Sequence, residues 1–153
     1  MKNYFFLLSI FLSVLFYSCS NVDCTTKNID MYFLAPGGTY FFKMQDKDGN
    51  PILEGIIYVK YRKKLNMSGT YEITKFYNES YPGIKSMMGT FTATESDDDN
   101  TVNLNTNPKI ADDNIIFEFN LMKNKIEGKW YRTTMKGKID EGILTGHFLE
   151  LKS

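Results

Sequence analysis

Apolar residues alternate with polar ones along most of the chain after residue 28, and this period of two restricts the fold more than any other feature. The clearest run is N-I-I-F-E-F-N-L-M at 114–122. No 11-residue window in this part of the chain keeps apolar residues at helical spacing, so the pattern predicts half-buried β-strands. The faces expected to be apolar are Ile115, Phe117, Phe119 and Leu121; Tyr40, Phe42 and Met44; Gly55, Ile57, Val59 and Tyr61; and Tyr71 and Ile73.

Turn-forming residues separate these runs at hairpin spacing. D-K-D-G-N-P at 46–51 offers Asp-Gly where positive φ is needed, K-N-K at 123–125 separates two strands, and D-E-G at 140–142 places Gly142 where a three-residue hairpin loop needs a left-handed residue. The segment 95–114 is the longest polar stretch, and we expect a loop-rich excursion there with at most a short strand near Val102 and Leu104.

The order and number of the strands predict the architecture. A chain of 153 residues supports one domain of ordinary size. Eight or nine strands in sequential hairpins favour an all-β fold, a single antiparallel up-and-down β-barrel over 29–153, with a two-sheet β-sandwich as the alternative. The strands are expected at about 29–33, 39–46, 52–62, 68–77, 87–95, 101–105, 114–122, 125–135 and 143–151.

A glycine followed two residues later by an aromatic recurs five times, without the fixed period of a solenoid or propeller. We interpret each glycine as a point where the backbone bends or approaches a neighbour, with the aromatic two positions on filling the space on the same face. The pairs are Gly38 and Tyr40, Gly69 and Tyr71, Gly89 and Phe91, Gly128 and Trp130, and Gly146 and Phe148.

The N-terminus carries an export signal. Lys2 precedes an apolar run from Tyr4 to Tyr17 that is too short for a permanent membrane helix but suits the core of a signal peptide over 1–18. Ser18 and Cys19 follow at the end of this run, and the arrangement resembles a relaxed lipobox of the kind found in Bacteroidetes lipoproteins. The resemblance implies acylation of Cys19, a tether over 19–28 and a location in the bacterial envelope, at the outer membrane. The alternative is a secreted protein with a Cys19–Cys24 disulfide.

The C-terminal quarter also suggests a family. The stretch I-E-G-K-W-Y-R-T-T-M-K-G-K-I-D-E-G-I-L-T-G-H-F-L-E-L at 126–151 resembles the end of small lipocalin-like, calycin-type β-barrel lipoproteins, in which Gly-x-Trp and Leu-Thr-Gly-x-aromatic hairpins recur. In lipocalins the Gly-x-Trp lies on the first strand, whereas here Gly128 and Trp130 lie near the end. The resemblance therefore implies the barrel architecture and no ligand pocket.

Composition and motifs argue against several classes of function. The 18 cationic residues balance the 18 anionic ones, so a footprint for nucleic acid is missing from the sequence. One His and two Cys are too few for a Cys/His zinc site, and His147 has no Ser or Cys in a nucleophile motif to activate. The acidic run from Glu95 to Asp99 lacks EF-hand spacing and is interpreted as a solvated loop. We expect no catalysis, no metal and no cofactor.

Aromatic and methionine residues provide the candidate binding sites. The segment 75–88 combines rigid rings with adaptable methionines around a Pro-Gly turn, a composition that suits recognition surfaces. Trp130 and Tyr131 point to opposite faces of one strand, so only one can be in the core. The candidates are Phe76, Tyr77, Tyr81, Met87, Met88, Trp130 and Tyr131.

The expected function is binding. We expect a monomeric, envelope-anchored, non-catalytic module for a small apolar or amphiphilic ligand. The alternative is a protein-binding inhibitor or immunity lipoprotein that blocks a toxin or hydrolase at the envelope, in the periplasm or at the cell surface. A ligand carrier needs an internal apolar cavity of roughly 300 Å³ or more, whereas an inhibitor can have a filled core and an exposed patch near Tyr77 and Met88.

Overall fold

A computed structural model describes residues 34–77, 81, 86–110, 112–122 and 124–151. Their regular structure is entirely β, and no helix among them is long and apolar enough to cross a membrane. The predicted signal peptide, the predicted lipidation site Cys19, the predicted tether and the strand expected at 29–33 lie outside the described residues. The eight strands are β1 (Gly38–Gln45), β2 (Pro51–Lys63), β3 (Asn66–Phe76), β4 (Met88–Glu95), β5 (Thr101–Asn105), β6 (Asn114–Met122), β7 (Lys125–Thr134) and β8 (Gly137–Leu151).

The strands form a closed barrel. Each strand pairs antiparallel with the next, and β8 pairs antiparallel with β1, so the order around the barrel is the order along the chain. The prediction of an all-β, up-and-down barrel is confirmed, and the sandwich alternative is wrong because the β1–β8 pairing closes the sheet. We call the end where the chain enters at Leu34 the near end. The opposite end carries the β1–β2, β3–β4, β5–β6 and β7–β8 connections, and we call it the far end.

Large side chains fill the barrel interior. The alternation expected for β6 is confirmed, because its four predicted core residues are buried and Glu118 and Asn120 are more exposed. One hydrophobic cluster contains residues from all eight strands, consistent with an eight-stranded barrel just wide enough to be filled by side chains. The largest fully buried side chains are Trp130, Tyr40, Phe42, Phe91, Phe117 and Phe119.

Leu34 closes the near end. Its side chain is fully buried, and its carbonyl accepts a hydrogen bond from Arg62 Nη1 at 3.0 Å. The same guanidinium forms an ion pair with Glu95, which is itself buried. The next residue, Ala35, donates its backbone N–H to the Tyr40 hydroxyl at 2.9 Å. The polar groups of Arg62, Glu95 and Ala35 at this end are therefore paired, whereas the buried hydroxyl of Thr39 has no hydrogen-bond partner among the described residues.

Two predicted turns are confirmed in detail. In the β1–β2 turn, Gly49 has a φ of 85°, and the Asp46 side chain accepts hydrogen bonds from the backbone N–H groups of Asp48 and Asn50. In the β6–β7 turn, Asn124 adopts a φ of 71°. Both residues supply the left-handed backbone that a tight hairpin needs.

Two local predictions are wrong. The β7–β8 turn lies before Gly137, which has a φ of 102°, and the D-E-G sequence at 140–142 is inside β8. Gly142 instead lies against the Trp130 indole, where an added Cβ would be 2.7 Å from Trp130 Nε1. Tyr61 was expected on the inner face but is 54% exposed, because a bulge between Val59 and Tyr61 shifts the alternation by one residue.

Candidate functional site

A gap in the barrel wall opens at the far end because β5 is short. Strand β4 pairs with β3 from Met88 onward, but its pairing with β5 begins only at Thr92, opposite Asn105. Beyond Asn105 the chain remains beside β6, since both the N–H and the hydroxyl of Thr106 donate to the carbonyl of Ile115. The first half of β4 is thus separated from the β5–β6 connection.

This gap forms a cleft of about 560 Å³, which we call the β4 cleft. One wall is the start of β4, with Met88, Gly89 and Thr90. Tyr71 of β3 and Ser86 also contribute. The other wall is the β5–β6 connection, with Thr106, Asn107, Ile110, Asp112 and Asp113. The walls combine apolar side chains with hydroxyl, amide and carboxylate groups, and such a mixed lining is typical of binding sites.

Beside the cleft, Tyr81 covers Trp130. The two rings meet edge to face with centroids 5.6 Å apart, and Trp130 Nε1 donates to the carbonyl of Gln45 at 2.6 Å. The Tyr81 hydroxyl is buried and has no hydrogen-bond partner among the described residues. Burial raises the pKa of Tyr81, and the nearby Asp140 carboxylate adds to the rise while Arg132 opposes it. The Tyr81 phenol therefore ionises only at a higher pH than an ordinary tyrosine does.

An ion pair supports the wall formed by the β5–β6 connection. Arg132 Nε on β7 lies 2.5 Å from Asp113 Oδ1, and both side chains are largely buried. The neighbouring Asp112 carboxylate accepts the backbone N–H of Met135 at 2.8 Å, which connects the wall to the β7–β8 turn. These contacts fix the cleft wall to the barrel.

The seven predicted binding residues do not form one cluster. Tyr81 and Trp130 are in contact, and Met88 lines the cleft. Phe76 packs partly buried against the core. Tyr77 lies on the outer wall, where its hydroxyl donates to Glu54 Oε2 at 2.9 Å and Lys75 Nζ lies 4.2 Å from its ring centroid. Tyr131 also faces outward, with Lys138 Nζ 5.6 Å from its ring.

Exposed apolar side chains surround the far end. We call them the apolar rim: Met87, Met88, Ile110, Met135 and Ile139. Met135, at the β7–β8 turn, is 87% exposed and Met88 is 65% exposed. Exposed apolar groups concentrated at one end of a molecule are typical of an interaction surface.

Sequence reasoning missed most of the β4 cleft. Tyr71 was predicted as a core residue, and Thr106, Ile110, Asp112 and Asp113 were placed in a loop without a role. The available signal was the length of the strand at 101–105, which is shorter than the runs on either side of it. A short strand between longer ones leaves part of its neighbours unpaired.

The other titratable groups do not form a reactive cluster among the residues described. His147 is exposed on β8 with its ring 5.1 Å from that of Phe41. The Glu118 carboxylate pairs with Lys129 at 2.9 Å. The described part of the chain contains no group of three or more His, Cys, Asp or Glu residues arranged to hold a metal ion.

Comparison with known proteins does not assign the chain to a family. No protein-family model matches the chain, and no curated protein matches it. Among solved structures the chain is similar to a redesigned β-barrel, with 18% sequence identity over 76% of this chain and 91% of that chain and a TM-score of 0.41.

Proposed function

We propose that the protein is a non-catalytic binding module of the bacterial envelope, anchored by a lipid on Cys19, which binds a protein partner with the far end of its lipocalin-like barrel. The observation that carries this proposal is the combination of a filled interior with an apolar rim at one end. A filled eight-stranded barrel leaves little room for an internal ligand. Exposed methionines form an adaptable apolar surface that suits contact with a protein.

The position of the near end supports the anchor. Leu34 is 15 positions after Cys19 and lies at the near end. A chain of that length spans at most about 50 Å. A barrel held in this way keeps its near end toward the membrane, and the far end with its rim is the part accessible to other proteins. The chain has equal numbers of cationic and anionic residues, so attachment depends on the lipid and not on a basic surface.

A partner protein of this kind could be a toxin or hydrolase that the lipoprotein inhibits. An inhibitor of such an enzyme requires a rigid binding surface and no catalytic group. Two contacts at the far end, Arg132–Asp113 and Tyr81–Trp130, hold described residues of its connections against the barrel and support this proposal.

A second candidate function is binding of a small amphiphilic ligand in the β4 cleft. Its volume of about 560 Å³ is within the range of small-molecule sites. Tyr71, Met88 and Ile110 would contact apolar parts of such a ligand, and Ser86 and Thr106 have hydroxyl groups for its polar parts.

Site-specific photo-crosslinking in living cells tests the proposed function. The chain offers a matched pair of positions, because Met87 at the far end and Met122 at the near end are both 51% exposed. With a benzophenone amino acid at Met87 we expect a discrete crosslinked protein after denaturing purification, whereas the same group at Met122 should give none. Equal crosslinking at both positions, or none at Met87, would contradict the proposal.

The anchor is tested separately by mass spectrometry of the purified protein. We expect a mature N-terminus at Cys19 that carries acyl chains. An unmodified Cys19, or a disulfide between Cys19 and Cys24, would show that the protein is secreted without a lipid.

A further inference from the structure

The start of β4 presents an unpaired backbone edge to the β4 cleft. Successive residues of a strand direct their N–H and C=O groups to opposite sides. The Met87 carbonyl bonds to the N–H of Ile73 on β3, and the N–H of Glu95 bonds to the carbonyl of Leu65, which precedes β3. Odd-numbered residues of β4 therefore face β3. The backbone groups of Met88 and Thr90 face the opposite way, toward the cleft.

The Ser86 side chain occupies the place of a strand partner at Met88. Its hydroxyl donates to the Met88 carbonyl at 2.7 Å and accepts the Met88 N–H at 3.3 Å. Thr90 has no counterpart on β5, because the β4–β5 register ends at Thr92 and Asn105. Among the described residues, the N–H and C=O of Thr90 thus have no strand partner on the side of the cleft, and the cleft is large enough for a short peptide.

The side chains around this edge differ between the two faces of the sheet. Gly89 has no side chain, and the Tyr71 ring of the opposing strand covers it so closely that an added Cβ would lie 2.4 Å from the Tyr71 oxygen. A residue placed opposite Gly89 on an additional strand would point to this inner face, near Tyr71 and Ile110. Met88 and Thr90 are exposed on the outer face. Such a strand would therefore carry an apolar side chain at its central position.

We propose that the β4 cleft binds an extended peptide segment of the partner protein by strand addition. The segment pairs antiparallel with β4, continues the line of β5, and exchanges backbone hydrogen bonds with Thr90 and, once the Ser86 hydroxyl moves aside, with Met88. Its central apolar residue packs against Tyr71 and Ile110. The inference rests on the proposed function, because it names how the far end would recognise its partner. Exposed strand edges are known templates for such pairing.

The probe is a phage-displayed library of linear nonapeptides, selected on the full chain in detergent. The selected peptides are resynthesised and their dissociation constants are measured against the unchanged chain, Thr90→Pro and Thr90→Val. Proline removes the Thr90 N–H and places its ring in the cleft, and an edge position tolerates it. Valine keeps the N–H and changes only the exposed side chain. We expect Thr90→Pro to weaken binding by roughly fivefold or more and Thr90→Val by less than about twofold.

Two further measurements keep the inference falsifiable if Thr90→Pro does not fold. N-methylation of the peptide backbone should abolish binding at alternate positions and be tolerated at those between, because only every second N–H of an added strand faces β4. Ser86→Ala should strengthen binding, because the competing hydroxyl is removed. Binding that is insensitive to N-methylation, or equal for the two Thr90 variants, would overturn strand addition.

The two proposals can fail independently. A partner that crosslinks at Met87 but binds Thr90→Pro and Thr90→Val equally would leave the proposed function standing and reject strand addition. A small amphiphile that protects the cleft while no peptide is enriched would also reject it.

Discussion

At the scale of single residues, Trp130 does more than fill space. Its side chain is fully buried, its indole N–H donates to Gln45 on β1, and Tyr81 stacks edge-on against it from the β3–β4 connection. The indole thus joins β7, β1 and a connection that leads to the β4 cleft. Tyr131, the next residue, lies on the outer wall and has none of these contacts with the core.

Replacing Trp130 should therefore destabilise the protein strongly. We expect Trp130→Ala to lower the free energy of unfolding by about 3–5 kcal/mol, since it removes a large buried side chain and leaves the Gln45 carbonyl without its donor. Urea denaturation followed by circular dichroism measures the change. Tyr131→Ala is the matched control on the same strand and should cost about 1 kcal/mol or less. Similar losses for both variants would contradict this assignment of the core.

At the scale of strands and turns, glycines next to aromatic rings organise the barrel. The sequence interpretation placed the filling ring two residues after each glycine, and Gly38 with Tyr40 fits it. At Gly89 and Gly142 the ring comes instead from the neighbouring strand, from Tyr71 and Trp130 respectively. Glycines therefore mark where one strand makes room for a side chain of the next.

Gly142 provides a test of this role. A Cβ at this position would lie 2.0 Å from the Gln45 carbonyl oxygen and 2.7 Å from Trp130 Nε1, so Gly142→Ala should displace the indole or separate β8 from β1. We expect a loss of about 2 kcal/mol or more and a red shift of the emission of Trp130, the chain's single Trp. Ile143→Ala, at the next position of the same strand, is the control, because Ile143 is 40% exposed and its truncation should leave the emission of Trp130 unchanged. A stable Gly142→Ala with unchanged emission would count against the close approach.

The alternation of single strands was readable from the sequence, and the contacts between strands were not. Strands β5 and β6 match their expected bounds, because local alternation and turn residues determine them. The D-E-G sequence could not be distinguished from a turn, since a glycine that makes room for a ring and one that bends the chain look alike in sequence. The β4 cleft depends on pairing that is missing between two strands. No local sequence pattern encodes where two neighbouring strands stop pairing.

At the scale of the whole molecule, the two ends of the barrel have different roles. The near end is closed by Leu34 and by the Arg62–Glu95 pair, whereas the far end carries the β4 cleft and the apolar rim. A buried ion pair contributes little net stability, but removing one partner leaves an uncompensated charge in the core. The stability of the barrel therefore depends on Leu34, which precedes β1 and contacts Arg62 of this ion pair.

Truncation should reveal this connection. A chain that starts at residue 38 lacks Leu34 and its contact with Arg62, whereas a chain that starts at residue 34 keeps both. We expect the shorter chain to be less stable by about 2–4 kcal/mol, because a buried leucine and a buried hydrogen bond are lost together. Thermal unfolding of the two chains measures the difference. Equal melting temperatures would mean that the near end closes without Leu34.

The β1–β8 pairing also has a consequence for the order of events in synthesis. Gly38 pairs with Leu151, so the contacts that close the barrel join the two extremes of the folded chain. Contacts between distant residues carry the largest loop-closure entropy and form slowly. During synthesis the first strand stays unpaired on one side until the last strand emerges. A chain released before β8 is complete would expose that edge of β1 to pairing with other chains.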